Sequence, residues 1–179
     1  MSHWRADPAG IAIMAPVSAV TQAVGYATAG ARLVDVGPAD ALIPAIRQAA
    51  GGLLICGHGR AADVVRDVDL AARTGAGLIC PDATAAGSAI RRGIQAGRIL
   101  VQSGPAGIER AAASGWATVV DADAGADSLP GVLAVASVCA WLGATVIRTR
   151  HVGEVRRALD MTESIRGTRP PTGAVRGLA

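Results

Sequence analysis

Arg148, Arg150 and His151 follow directly on a short apolar run, residues 144–147. That run is small and β-branched, as suits a strand buried on both faces. Beyond the cluster, Val152, Val155, Ala158 and Leu159 recur at three- and four-residue spacing, which makes an amphipathic helix. In α/β folds, ligands bind beyond the carboxyl ends of the strands. Three groups able to carry positive charge at that place point to an anion site for phosphate or pyrophosphate. Strand alternation puts Arg148 and Arg150 on one face and His151 on the other. Two readings of the arginines stand. They clamp a phosphate bidentately, or they form ion pairs with Asp121, Asp123 or Asp35. His151 caps its helix or faces solvent.

Other polar residues sit at strand ends. Cys56 and His58 are two apart, as are Cys80 and Asp82, so each pair points one way. If the two strands are neighbours, all four groups meet at one rim as possible zinc or iron ligands. The competing reading is buried cysteine as core filling. Asp35 either serves a ligand or a proton transfer, or is satisfied by backbone N–H groups of the next turn. Asp121 and Asp123 form a metal site or an acidic wall facing Arg148. Gly57-His58-Gly59-Arg60 is either an anion cradle or a plain βα turn.

These residues are positioned by a repeat. Ala-rich helical segments end at Gly30, Gly52, Gly75, Gly97, Gly115 and Gly143, each followed by a short apolar strand. The interval is roughly 20 residues, the span of one βα unit. With residues 10–17 as the first strand, about seven parallel strands alternate with helices over 20–29, 41–50, 61–74, 88–96, 107–114, 133–142 and the segment after residue 151. The expected fold is α/β, a compact (βα) barrel of the TIM type. Such barrels take about 200–250 residues, so either one βα unit is missing or every loop is trimmed. A doubly wound open sheet is the alternative. Residues 1–9 read as a leader, 10–165 as a single domain and 166–179 as a flexible tail.

Composition narrows the function. The chain has 179 residues and is 51% hydrophobic, enough for one core, but only 2% aromatic. All 17 basic residues are arginine, so no lysine can act as base or Schiff-base partner. The net charge of +3 with scattered arginines and few stacking rings argues against nucleic acid. No apolar run is long enough to span a membrane, and no export signal is legible. Three cysteines in such a chain imply reduced thiols and a cytoplasmic setting.

The closing unit, Gly143-Ala144-Thr145-Val146-Ile147-Arg148-Thr149-Arg150-His151-Val152-Gly153-Glu154, resembles that of dihydropteroate synthases and other pterin-binding barrels. Gly30-Ala31-Arg32-Leu33-Val34-Asp35-Val36-Gly37 resembles the family's second strand. Residues 11–16 look like its first strand, 75–80 its fourth, 99–104 its sixth and 117–121 its seventh. The fifth strand looks deleted between Asp82 and Ser88. The resemblance implies that Arg148 takes the place of the family's anion-binding Arg and Arg150 that of its His, with His151 one position late. It places Cys56, Cys80 and Gln102 near three polar pterin-holding positions of the family. The lysine of the family motif has no counterpart, and the first strand runs into Pro16-Val17-Ser18 where the family has an Mg²⁺-holding Asn.

The reading is therefore a divergent dihydropteroate synthase-like protein of the folate-biosynthesis transferase family. It lacks synthase activity and retains phosphate, pyrophosphate or pterin-like ligand binding at the rim through Arg148, Arg150 and His151. Asp35, Cys56, His58, Cys80, Asp82, Gln102 and Asp121 line the pocket. No cofactor or metal is expected, Mg²⁺ entering only if the family activity survives. The resemblance also implies a homodimer or association with a full-length relative. The alternatives are a small barrel enzyme using the Asp/Cys/His rim, and a non-catalytic partner of a synthase.

Overall fold

The structure, a computed structural model, describes residues 10–169. Eight parallel strands close into a barrel in sequence order: β1 (Ala12–Pro16), β2 (Leu33–Asp35), β3 (Leu54–Cys56), β4 (Val64–Val65), β5 (Gly77–Cys80), β6 (Ile99–Ser103), β7 (Ala117–Asp121) and β8 (Val146–Arg148). β8 returns to β1, with Met14 opposite Arg148. The helices are α1 (Val20–Thr28), α2 (Ile43–Ala49), α3 (Val68–Thr74), α4 (Ala83–Arg91), α5 (Ile108–Ala113), α6 (Leu129–Trp141) and α7 (Val152–Ile165). The open-sheet alternative is thereby excluded.

Side-chain alternation divides the core. Met14, Leu33, Cys56, Val64, Ile79, Leu100, Val119 and Val146, one from each strand, form a buried cluster inside the barrel. The alternate residues, among them Ile13, Val34, Ile55, Val65, Leu78, Val101, Val120 and Ile147, face the helices in two outer clusters. With no Phe in the chain, medium-sized aliphatic side chains fill this interior, which suits the narrow lumen of an eight-stranded barrel.

The strand count corrects the sequence reading. β4 lies inside the segment 61–74, taken above as one helix, and only α3 is helical there. The strand is two residues long and flanked by Asp63, Arg66 and Asp67, so it offers no alternation to detect. Residues 82–88 hold no deletion scar: Asp82 caps α4, and Gly77–Cys80 is the fifth strand rather than the fourth. No helix separates β3 from β4. The chain is short because that one helix is absent and the loops are trimmed, while every strand is kept.

The β3–β4 return is pinned by two aspartates. Asp63 Oδ2 accepts from the Ile55 N–H at 2.8 Å and its Oδ1 from Arg47 Nη2 at 2.8 Å. Asp40 accepts from the His58 N–H at 3.0 Å. A Cβ on Gly57 would come within 2.6 Å of Asp40 Oδ1, so this glycine allows the carboxylate its close approach. The Gly57–Arg60 run is thus a turn clasped by an internal carboxylate.

Two helix boundaries also move. The segment expected at 88–96 is α4, which runs over Ala83–Arg91, with the left-handed glycine at Gly93 (φ 87°) rather than Gly97. α6 starts at Leu129, because the Ser128 side chain accepts from the Gly131 N–H and Pro130 is tolerated in the first turn. Residues 166–169 continue past α7 with defined contacts: Arg166 Nη1 donates to the Ala140 carbonyl at 2.7 Å, and Arg169 pairs with Asp160. The expected leader, 1–9, and residues 170–179 of the expected tail lie outside the described residues. Among the described residues, no helix is long and apolar enough to cross a membrane.

Candidate functional site

The inward-facing register continues past the buried layer to the carboxyl ends of the strands. Two residues beyond Leu33, Val64, Leu100, Val119 and Val146 come Asp35, Arg66, Gln102, Asp121 and Arg148, which share the inner face at the mouth. Register pairs Asp35 with Cys56 and Asp121 with Arg148. The rim is thus assembled by strand geometry, with Cys56 beneath it.

Asp35 sits at its centre, only 7% exposed. Its Oδ1 accepts from the Gly37 N–H at 3.0 Å, and its Oδ2 from Arg66 Nη2 at 3.2 Å. Arg148 Nε stands 3.5 Å from the same Oδ2. Arg148 Nη1 donates to Asp121 Oδ2 at 2.5 Å, and Asp121 Oδ1 accepts from the N–H groups of Asp123 and Ala124 at 3.1 Å. Two guanidiniums and two carboxylates therefore alternate around the mouth. Arg148 Nε is buried and has no hydrogen-bond partner among the described residues.

Of the two readings left open for the arginines, ion pairing holds for both. Arg150 does not share the mouth with Arg148. Its N–H donates to Asp123 Oδ2 at 2.9 Å, its guanidinium lies 3.6 Å from that carboxylate, and its side chain is 66% exposed. Asp123 also accepts from the buried Thr149 hydroxyl at 2.7 Å, and that hydroxyl accepts from the His151 N–H. His151 occupies the N-cap position of α7, half-buried, with no capping hydrogen bond from its side chain.

The four-residue Cys/His/Asp rim does not assemble. β4 stands between β3 and β5, so the two strands are not neighbours. Cys56 faces the lumen, whereas Cys80 belongs to the outer cluster against the helices. Asp82 is exposed and accepts from the Ala85 N–H at 2.8 Å, and His58 is exposed on the return loop. Among the described residues, no three of His, Cys, Asp and Glu lie close enough to hold a metal ion. Burial, and then the Asp35 charge, push the Cys56 thiol up to about 12, so it is protonated near neutrality and a poor nucleophile. Burial likewise raises Cys80 and Cys139.

The donor set does not fit resident Mg²⁺ either. The chain contains no Asn, and both rim carboxylates are already bonded to guanidiniums or backbone N–H groups.

Arg66 was not legible as a site residue. The inward parity of Val64 and Arg66 is the only signal, and it is visible only once a two-residue strand is granted. Gln102 does reach the mouth, where it is exposed. A cavity of about 740 Å³ opens at the opposite, amino-terminal end of the strands, lined by residues including Leu33, Leu54, Trp116 and Thr145. That end of a (βα) barrel serves stability rather than chemistry, so the candidate site is the charged mouth.

No family model matches the chain. A stretch of 53 residues, 30% of the chain, is 47% identical to inactive dihydropteroate synthase 2 of Mycobacterium tuberculosis and, equally, of Mycobacterium bovis. That stretch spans 17% of the length of those relatives. Among solved structures, that of Mycobacterium tuberculosis Rv1207 superposes with a TM-score of 0.76 at 26% identity, over 90% of this chain and 94% of the other. The dihydropteroate synthase of Yersinia pestis superposes at 0.74 with 17% identity, over 90% and 95%. That of Xanthomonas albilineans, solved with 7,8-dihydropteroate, gives 0.74 at 16%, over 92% and 97%. The last two likenesses are ones of fold.

Proposed function

From the premise that this chain is a short, divergent dihydropteroate synthase-like barrel, we propose that it is catalytically silent and binds a phosphorylated or pterin-like small molecule at the carboxyl mouth of the strands. The observation that carries this is Arg148. Its guanidinium is held at the end of β8 by Asp35 and Asp121, while the side chain stays 29% exposed at the mouth. A bound anion can meet the exposed part of this guanidinium, and guanidinium–phosphate bonds are charge-assisted. Pre-positioned ion pairs spare the ligand the cost of ordering the side chain.

Silence follows from what the mouth lacks. The chain has no lysine. Asp35 and Asp121 are each bonded to a guanidinium and to backbone N–H groups, so neither is a ready base. The Cys56 thiol is held protonated. The same facts weigh against a different enzyme built on Asp35, Cys56, His58 and Cys80.

The test pairs turnover with stability. Pyrophosphate or the hydroxymethyl-dihydropterin pyrophosphate at about 100 times its Kd should add about 2.7 kcal/mol of stability, several degrees in Tm. p-Aminobenzoate added with the pterin pyrophosphate should give no product. Product formation would refute silence, and the absence of any shift with either phosphate would refute binding.

A second reading concerns association. Val138 and Trp141 on α6, with Met161 and Ile165 on α7, are each more than half exposed (54–66%). α6 is apolar on all sides, as helices buried on all sides are. This supports a second copy packing across α6 and α7, with a full-length relative as the other occupant to be tested.

A further inference from the structure

The lumen of a (βα) barrel is filled by stacked layers of side chains. In this chain the filling thins at the amino-terminal end. Two residues before Met14, Cys56 and Val119, on the same inner face, come Ala12, Leu54 and Ala117, of which only Leu54 is large. Ala12 and Ala117 contribute one methyl group each. The space they leave unfilled belongs to the cavity of about 740 Å³, whose floor includes Leu33 and Val146 of the buried layer. That volume lies within the range of small-molecule sites, about 300–1,000 Å³. Trp116, half-buried, lines the same cavity and packs against the outer core.

The charges around this cavity do not cancel. Its lining holds three arginines, Arg32, Arg166 and Arg169, and one carboxylate, Glu163. Glu163 is 3% exposed and is taken by Arg156 and by the Ile11 N–H. Arg169 pairs with Asp160. Arg166 differs from both. Its Nη1 donates to a neutral group, the Ala140 carbonyl, at 2.7 Å, and its Cζ lies 6.0 Å from the centre of the Trp141 ring. Among the described residues no carboxylate pairs with it, and the residue is exposed. With Nη1 engaged, Nε and Nη2 remain as donors. An apolar cavity thus carries an uncompensated guanidinium in its lining.

We propose that this cavity is a second ligand site, for an apolar carboxylic acid: a ring or short chain seated on Leu33, Leu54, Ala117 and Val146 beside Trp116, with its carboxylate on Arg166. An uncharged apolar molecule would cover the floor and leave Arg166 unmet. A small dianion such as phosphate would meet Arg166 and leave the apolar floor bare. A molecule with both parts satisfies both, and the two oxygens of a carboxylate match one guanidinium. The site asks for binding and no chemistry, in keeping with the stabilising role of this end of the barrel. It is separated from the charged mouth by the length of the strands and does not depend on the reading given above for that mouth.

Isothermal titration of the full chain with 2-naphthoate, and with 2-naphthylmethanol as its uncharged counterpart, tests this. Wild type should bind one naphthoate, at least about tenfold more tightly than the alcohol, the size of one charge-assisted contact. Arg166→Gln should bring naphthoate to within about twofold of the alcohol and leave the alcohol unchanged. Ala117→Leu, which fills the floor, should weaken both by at least about tenfold. Arg148→Ala, at the opposite end, should leave naphthoate binding within about twofold of wild type. Circular dichroism and Tm confirm folding, and Arg166→Gln, at an exposed position, keeps the comparison valid if Ala117→Leu does not fold. No naphthoate binding by wild type, equal binding of acid and alcohol, or binding that Arg148→Ala abolishes and Arg166→Gln leaves intact would overturn the proposal.

Discussion

Glu163 is a nearly buried charge outside the mouth. It lies on α7, with a side chain 4% exposed. Its Oε2 accepts from Arg156 Nη2 and its Oε1 from the Ile11 N–H, both at 2.9 Å, while Arg156 Nη1 donates to the Ile11 carbonyl at 2.8 Å. The last helix thereby clasps the start of the first strand. A Cβ on Gly10, where φ is +90°, would lie 2.3 Å from Glu163 Oε1, so glycine is required there on two counts. Glu163→Ala leaves the Ile11 N–H unpaired and Arg156 with Asp160 as its remaining carboxylate partner, and should cost about 1–3 kcal/mol, a Tm decrease of about 5 °C by calorimetry. A decrease of under about 2 °C would mean the clasp is dispensable. The thiols make a second residue-scale prediction. Each is raised by burial, Cys56 from 9.0 to about 12, so the native state favours the protonated thiol. The stability this carries is whole below pH 9 and is lost as pH rises from 9 towards 12. The denaturation midpoint should fall across that window, and less steeply in Cys56→Ala. Near neutrality iodoacetamide should modify native Cys56 far more slowly than the unfolded chain.

Elements differed in how plainly they could be read. α7 was readable because Val152, Val155 and Leu159 keep helical spacing and are all buried. β1 and β2, with residues 33–35 buried throughout, read as apolar runs. β4 was not, since two valines carry no period and the flanking Asp63, Arg66 and Asp67 look like a polar helix face. That single miss cost Arg66, and it made β3 and β5 look adjacent, which produced the unassembled Cys56, His58, Cys80 and Asp82 rim. Pairing partners were also beyond one-dimensional reading: Arg148 with Asp35 depends on barrel closure, and Arg150 with Asp123 on the loop after β7. At the element scale, the prediction concerns α6 and α7. If Val138, Trp141, Met161 and Ile165 meet a second copy, light scattering should give a dimer, and Trp141→Glu with Met161→Glu should give a monomer of unchanged Tm per chain. A wild-type monomer that also ignores an active synthase would remove this reading.

The whole molecule is a TIM-type barrel reduced in its connections but not in its strands. Closure was the part the sequence left undecided, because the repeat of glycine and apolar strand is shared by open and closed parallel sheets. The eight-residue inner layer settles it, one side chain per strand. Leu100, fully buried in that layer, should be costly to truncate: Leu100→Ala is expected to lower stability by about 2–5 kcal/mol in urea denaturation. Closure also explains why so small a chain can present a charged mouth, since the strands place Asp35, Arg66, Asp121 and Arg148 around one opening. Titration of wild type and Arg148→Ala with the hydroxymethyl-dihydropterin pyrophosphate, in a calorimeter with p-aminobenzoate absent, tests the central claim most directly. The account predicts saturable binding by wild type that Arg148→Ala weakens by at least about tenfold. Equal binding by both proteins, or none by wild type, would contradict it.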